Sequence, residues 1–307
     1  MLKILLWVVS QDGRFLNGAL KILERQHNGV EVVGVTAGVP IQLVKDGKKV
    51  DFIPLDKVDG GGDYDLLLVV GAMGIGMSNI TQAARQFNLP EEKLLGDWIV
   101  CVPGFTLEKY RRLQRSRLSI FSRNCFGSLL SNKLALQFRS PFVNLSLSDE
   151  DFIRFMRHPR VYMEEDLIFA SKEYSDWEGF DVATFTCGNV SILMNHYPDF
   201  DEAVAKWNER KQRINWYNLF VVSFTDSPES LQKFDALPHG KKICFVPFES
   251  DLDSAFYVPP GIRKDLLPPD TKEESSMWET VNLSVLKMKF FYDPFDLLLY
   301  GKKTRLF

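Results

Sequence analysis

No stretch of this 307-residue chain approaches the roughly 18 uninterrupted apolar residues that a membrane span requires. The opening run Leu2–Val9 is apolar, but it lacks a positively charged lead and a small-residue cleavage site. It stops at Ser10-Gln11-Asp12-Gly13, so a strand is expected there rather than a signal peptide. Charge of one sign is also missing: the net charge is -3, which supplies no global field to gather nucleic acid. Cysteine is scarce and scattered. The four thiols, Cys101, Cys125, Cys187 and Cys244, form no C-x-x-C pair and have no histidine at zinc-ligand spacing. Reduced cysteines, no metal and a cytoplasmic location are the expectation. The chain has no internal repeat and no low-complexity segment. Absent Walker, H-E-x-x-H and G-x-S-x-G motifs remove three familiar reaction classes from consideration.

What is present is 45% hydrophobic content, enough for one large core or two ordinary ones. Ile4–Val9, Val30–Val35, Lys49–Pro54, Leu66–Val70 and Trp98–Val102 read as strands, with helical spacing between them at Phe15–Leu23 and Ile80–Phe87. Such alternation implies a parallel sheet wound by helices. The basic run Lys109–Arg117 reads as a helix end and connector, so the first α/β domain, Rossmann-like in outline, is set at residues 1–115.

A second α/β domain, residues 116–307, is expected to hold a mixed sheet with helices. Its strands fall at Leu118–Phe121, Phe142–Leu147, Leu219–Phe224 and Ile243–Phe248. Phe180–Thr186 and Val190–Asn195 flank Cys187-Gly188-Asn189 as a hairpin. Helices are signalled after Ser148, Asp199 and Ser227, each an N-cap residue type. Pro259-Pro260-Gly261 and Leu267-Pro268-Pro269-Asp270 read as interruptions. The Phe- and Leu-rich stretch Met288–Tyr300 is expected to pack on its own domain, the other reading being a docking patch for a protein partner or a second copy.

Chemistry is signalled less directly. A G-x-G-x-x-G loop is absent after the first strand, and Asp12 there opposes a pyrophosphate, so no nucleotide cofactor is expected. Gly71-Ala72-Met73-Gly74-Ile75-Gly76 reads as a sharp turn or an anion loop. The most distinctive stretch is Ser122-Arg123-Asn124-Cys125-Phe126-Gly127, between a strand's carboxyl end and a helix's amino end, where α/β sheets place ligands. The helix dipole and Arg123 favour a thiolate at that position, and His196 has the chemistry of a general base for it. The bland reading makes Cys125 a small buried residue, with Ser122 and Asn124 serving backbone groups. Lys206, Arg210 and Arg213 recur at helical spacing as a cationic stripe that suits a diphosphate, or else pairs with Glu202 and Glu209. Asp251-Leu252-Asp253 has the form of a D-x-D pair, which chance also produces in so acid-rich a chain.

The stretches Ser122–Gly127, Ser140-Pro141-Phe142-Val143-Asn144, Asp151-Phe152, His196-Tyr197, Lys206-Trp207-Asn208-Glu209-Arg210 and Arg213-Ile214-Asn215 carry a resemblance over roughly residues 117–250. They resemble a bacterial family of unknown function whose members are often labelled exopolysaccharide biosynthesis proteins. Val32–Ala37 and Asp63–Gly71 look like the small Rossmann-like domains that precede sugar-modifying transferases, without their usual glycines after the first strand. The resemblance implies a protein that binds a sugar nucleotide or sugar phosphate in surface-polysaccharide synthesis, a transferase being one form of it, and the loop and the cationic stripe offer Ser122, Arg123, Asn124, Gly127, Lys206, Arg210 and Arg213 as ligand contacts. Two alternatives stand beside it: a non-catalytic assembly or regulatory protein, and a hydrolase or acyltransferase using Cys125 and His196.

Overall fold

The apolar run that opens the chain becomes β1 (Leu2–Val8), with Ile4 to Trp7 buried. In the computed structural model, which describes residues 1–45, 47–267 and 276–307, the chain is α/β. It divides into one compact unit of Met1–Arg111 with Asn132–Ala135 and another of Arg112–Ser131 with Leu136–Phe307. In the first unit, α1 (Leu16–Gln26) follows β1 and leads to β2 (Val30–Ala37). A small antiparallel hairpin follows, β3 (Leu43–Lys45) and β4 (Lys48–Val50); Asp46, at the turn expected there, lies outside the described residues. Next come β5 (Leu66–Val70), α2 (Met77–Gln86), β6 (Leu94–Gly96) and α3 (Asp97–Val100). Strands β2, β1, β5 and β6 lie in that order in one parallel sheet.

The β-rich stretch Lys49–Pro54 is strand at its start, in β4, and Phe52 then bridges in parallel to Val35 on β2. One expectation for this unit needs correction. Trp98–Val102 is not a strand: Leu94–Gly96 takes the place beside β5, and Trp98, Ile99 and Val100 are buried in α3. A short, wholly apolar run reads the same in a strand or a helix, which is why periodicity misplaced it. Gly71 has φ +77°, and a Cβ there would lie 2.7 Å from Ser10 O and 2.8 Å from Asp12 O. The glycine is therefore required by close backbone approach.

From α4 (Leu107–Arg115) the chain enters β7 (Ser119–Ser122), α5 (Phe126–Lys133), α6 (Asp149–Arg157) and α7 (Pro159–Glu164). Three strands then form an antiparallel sheet, β8 (Leu167–Ser175), β9 (Phe180–Cys187) and β10 (Val190–Met194). There follow α8 (Phe200–Lys211), β11 (Leu219–Phe224), α9 (Pro228–Asp235), β12 (Lys242–Val246), β13 (Ala255–Tyr257), α10 (Pro260–Leu266), α11 (Met277–Leu286) and α12 (Pro294–Tyr300). Strands β13, β12, β11 and β7 make a second parallel sheet. The mixed strand content of this unit is thus divided between two sheets.

Side-chain caps account for three of these helix starts: Ser148, Asp199 and Ser227 each accept an N–H three residues on. Pro260, read as an interruption, instead sits in the first turn of α10, where its missing N–H costs nothing. The interruption expected from Pro268 onward lies outside the described residues. Phe142–Leu147 is not a strand; only Ser146 bridges, to Leu193. Phe142 is instead a core ring, 5.1 Å from Phe121 and Phe155 and 5.9 Å from Trp207. The aromatic tail is core as well. Phe290, Phe291, Tyr292 and Phe295 are buried, with Tyr292 5.6 Å from Phe245, whereas Tyr300 at the end of the stretch is exposed. Among the described residues no helix is long and apolar enough to cross a membrane.

Candidate active site

The carboxyl end of β7 passes into α5 through Arg123-Asn124-Cys125, and hydrogen bonds set the turn. Ser122 Oγ accepts the Gly127 N–H at 2.9 Å and donates to the Asn124 carbonyl, while Asn124 Oδ1 accepts the Phe126 N–H at 3.0 Å. Phe126 is fully buried, 5.6 Å from Phe245 on β12, and anchors the helix start in the core. Gly127 is required: a Cβ there would lie 2.9 Å from Ile120 Cγ2 and from Ser122 Oγ. Cys125, 8% exposed, is thereby held at the amino end of α5, with its Sγ 4.0 Å from the Leu145 carbonyl.

One chain segment joins this turn to a residue far along the sequence. Leu147 N–H donates to the Arg123 carbonyl at 3.0 Å. Ser146 exchanges two backbone hydrogen bonds of 2.9 Å with Leu193 on β10, and its Oγ lies 3.1 Å from Asn195 Oδ1. His196 N–H reaches the Asn144 carbonyl at 3.4 Å. The result is that His196, just past β10, lines the same cleft as Cys125, and the thiol raises the imidazole pKa.

The third member comes from the turn between β8 and β9. Ser175 pairs with Phe180, Gly179 N–H closes the loop onto the Ser175 carbonyl at 2.8 Å, and Gly179 takes φ +78°, a conformation that favours glycine. This presents Glu178, whose Oε1 is 2.9 Å and Oε2 3.0 Å from His196 Nδ1. The Cys125 thiol, followed by Glu178, pushes the His196 pKa up to about 9 against the opposing effect of burial. A thiol, an imidazole and a carboxylate stand together, the residue types that nucleophilic catalysis employs.

These groups open onto a cleft of about 620 Å³. Leu129, Leu147, Phe224 and Leu283 supply apolar wall, and Asn124, Asn144, Asn195 and Asn282 supply amides. Arg123 lines it too, but its guanidinium is bound to Asp149, donates to the Phe224 carbonyl at 2.7 Å and lies 4.0 Å from the Phe224 ring centroid. Burial draws the Arg123 pKa down to about 10. Its charge is answered by Asp149.

Of the residues singled out in the sequence, the structure brings Arg123, Asn124, Cys125 and His196 to the cleft, while Ser122 and Gly127 shape the turn from behind. Lys206, Arg210 and Arg213 are not among the described residues lining it. Lys206 lies 3.5 Å from Glu209, Arg213 is paired with the same carboxylate, and Arg210 donates to Tyr197 Oη at 2.5 Å. Tyr197 Oη in turn lies 3.3 Å from the Val143 carbonyl, which makes Arg210 a brace behind His196. Among the described residues no group of three or more His, Cys, Asp or Glu is placed to hold a metal.

Glu178, Trp177, Trp278 and Asn282 were not anticipated. β8 is exposed almost throughout and lacks the alternation that marks a half-buried strand, so its hairpin with β9 went unread. The signal that could have found it is the polar, glycine-ended turn Asp176-Trp177-Glu178-Gly179 between two β-rich runs.

Comparison with known proteins adds a family. The model of the Domain of unknown function (DUF1919) matches residues 100–299. A Haemophilus influenzae protein described as "Uncharacterized protein" is 30% identical over 192 residues, covering 61% of this chain and 84% of its own length.

Proposed function

We propose that this chain, which belongs to the DUF1919 family, is a cysteine-dependent acyl-transfer enzyme, a hydrolase or acyltransferase in which Cys125 is the nucleophile. His196 moves the proton and Glu178 holds the imidazole in its productive orientation. The observation that carries the reading is His196 itself, bonded to Glu178 through Nδ1 and set with Cys125 on the lining of one cleft large enough for a small ligand. A raised histidine pKa favours an imidazolium beside the sulfur, ready to give its proton to a leaving group.

The resemblance to exopolysaccharide biosynthesis proteins suggests a sugar nucleotide or sugar phosphate instead. A phosphate calls for an unanswered cation, and the two cations of the cleft lining among the described residues, Arg123 and the His196 imidazolium, are bonded to Asp149 and Glu178. We therefore favour acyl transfer, with a saccharide as one neutral substrate it could serve. The four cysteines are free and a nucleophilic thiol must stay reduced, which supports a cytoplasmic setting.

The test is trapping of an acyl-enzyme. Activated acyl donors should leave a hydroxylamine-sensitive mass increment on Cys125, found by peptide mapping, and Cys125→Ala should abolish both increment and turnover. Unchanged turnover in Cys125→Ala sinks the reading.

A further inference from the structure

Two buried polar atoms of the cleft have no partner among the described residues. Asn124 is 6% exposed, and because its Oδ1 is engaged by the Phe126 N–H, the unpaired atom is the donor, Nδ2. On α11, Asn282 Oδ1 is buried and unpaired as well, and that atom is an acceptor. Both residues line the cleft that Cys125 and His196 share. Leaving buried polar atoms unmade is costly, and a ligand that accepts at one and donates at the other removes the cost. A secondary amide does both, through its C=O and its N–H.

Charge narrows the choice. The lining carboxylates are committed, Glu178 to His196 and Glu279 to the Ser276 cap of α11, and Arg123 is committed to Asp149. A charged ligand would find no free counter-charge among them. Two indoles stand at the same cleft, Trp177 on the β8–β9 turn, 92% exposed, and Trp278 on α11, 49% exposed. Trp278, Asn282 and Leu286 recur every four residues, so they share one face of α11. Exposed indoles at a cleft offer flat faces for stacking.

We propose that the cleft takes an uncharged secondary amide, R–CO–NH–R′, with its carbonyl oxygen on Asn124 Nδ2, its N–H on Asn282 Oδ1 and a flat substituent against the tryptophans. The proposal rests on the acyl-transfer reading above. The Cys125 thiolate adds to the carbonyl carbon, and the π pair moves onto the oxygen that Asn124 holds. As the C–N bond breaks, the nitrogen takes the His196 proton, giving R–CO–S–Cys125 and R′–NH2. Neutral His196 then removes a proton from water, which cleaves the thioester to R–COOH and returns the thiolate and imidazolium. N-acylated amino sugars and N-acylated amino-acid amides both carry this group.

The test uses the full chain and three acetyl donors: para-nitroacetanilide, its N-methyl derivative, which has no N–H, and para-nitrophenyl acetate, an ester. The N-methyl amide should be turned over at least about tenfold more slowly than the secondary amide. Asn282→Ala should lower kcat/KM for the secondary amide by about tenfold more than for the ester, the scale of one lost buried hydrogen bond, with an unchanged circular dichroism spectrum and melting midpoint certifying that the variant is folded. N-acetylglucosamine and N-acetylphenylalanine amide, followed by acetate release, identify which source of the amide is preferred. Equal loss on amide and ester in Asn282→Ala, or equal turnover of the two amides, overturns the proposal. Cys125-dependent turnover of the ester with none of any secondary amide also overturns it while sparing the acyl-transfer reading. No Cys125-dependent turnover of any donor overturns both.

Discussion

His196 provides the most direct physical check on the site. An imidazole ordinarily titrates near 6.5, and here it is pushed up to about 9, first by the Cys125 thiol and then by Glu178, with burial opposing. At pH 7.5 a group of pKa about 9 is about 97% protonated, whereas one of 6.5 is about 9% protonated. Cys125→Ala removes the leading cause, and Glu178→Gln removes the carboxylate charge while keeping the side chain's length. Each variant should bring the midpoint down, and the double variant should fall below the ordinary value, because the burial that opposes protonation remains. The assay is proton NMR of the imidazole Cε1 resonances. The chain has four histidines, so His196→Gln assigns the signal. The sign for stability follows: the contribution of charged His196 is fully present below pH 6.5 and is lost as pH rises through about 9. Titration of His196 near 6.5 in the unaltered protein, or a midpoint that ignores both substitutions, would refute the account of the pair.

Two further outcomes test parts of the framework around it. Asp97 is fully buried, one of its oxygens has no partner, and burial pushes its carboxyl from 3.8 up to about 6. The stabilisation it gives is present below about pH 4 and lost as pH rises through about 6, a change of about 3 kcal/mol. Asp97→Asn should therefore gain on the unaltered protein in urea melts at pH 7.5 relative to pH 4, and equal differences at the two pH values would count against it. Gly127→Ala should lower the melting midpoint by about 1–3 kcal/mol, because overpacking against Ile120 and Ser122 outweighs the helix preference for alanine. A more stable alanine variant would show that the turn has room.

The distinctive loop before α5 was legible because its residue types state their jobs: Ser122 and Asn124 are short hydrogen-bonders, Gly127 a residue of close approach, and Cys125 a thiol at a helix start. The helix caps were legible for the same local reason. The meeting of Cys125 with His196 was not, since it depends on Asn144–Leu147 running between β10 and the Arg123 turn, and tertiary hydrogen bonds leave no periodic trace. The cationic stripe Lys206, Arg210 and Arg213 was visible as a stripe, but its role turns on Glu209 and Tyr197, whose positions the spacing does not determine. Trp98–Ile99–Val100 shows the other limit, where burial on every side erases the difference between strand and helix.

The β8–β9 hairpin makes the site unequal in its firmness. Cys125 is rooted by Phe126 in an aromatic core, whereas Glu178 sits on a turn fed by a strand that is exposed almost throughout. Segments with so little burial open at a small fraction of the global unfolding free energy. On the acyl-transfer reading, warming should thus cost turnover before the protein melts, while the parallel sheet is intact, and amide exchange at β8 outrunning that at β11 reports the same hierarchy. The carboxylate, and not the thiol, is then the member of the cleft that heat displaces first.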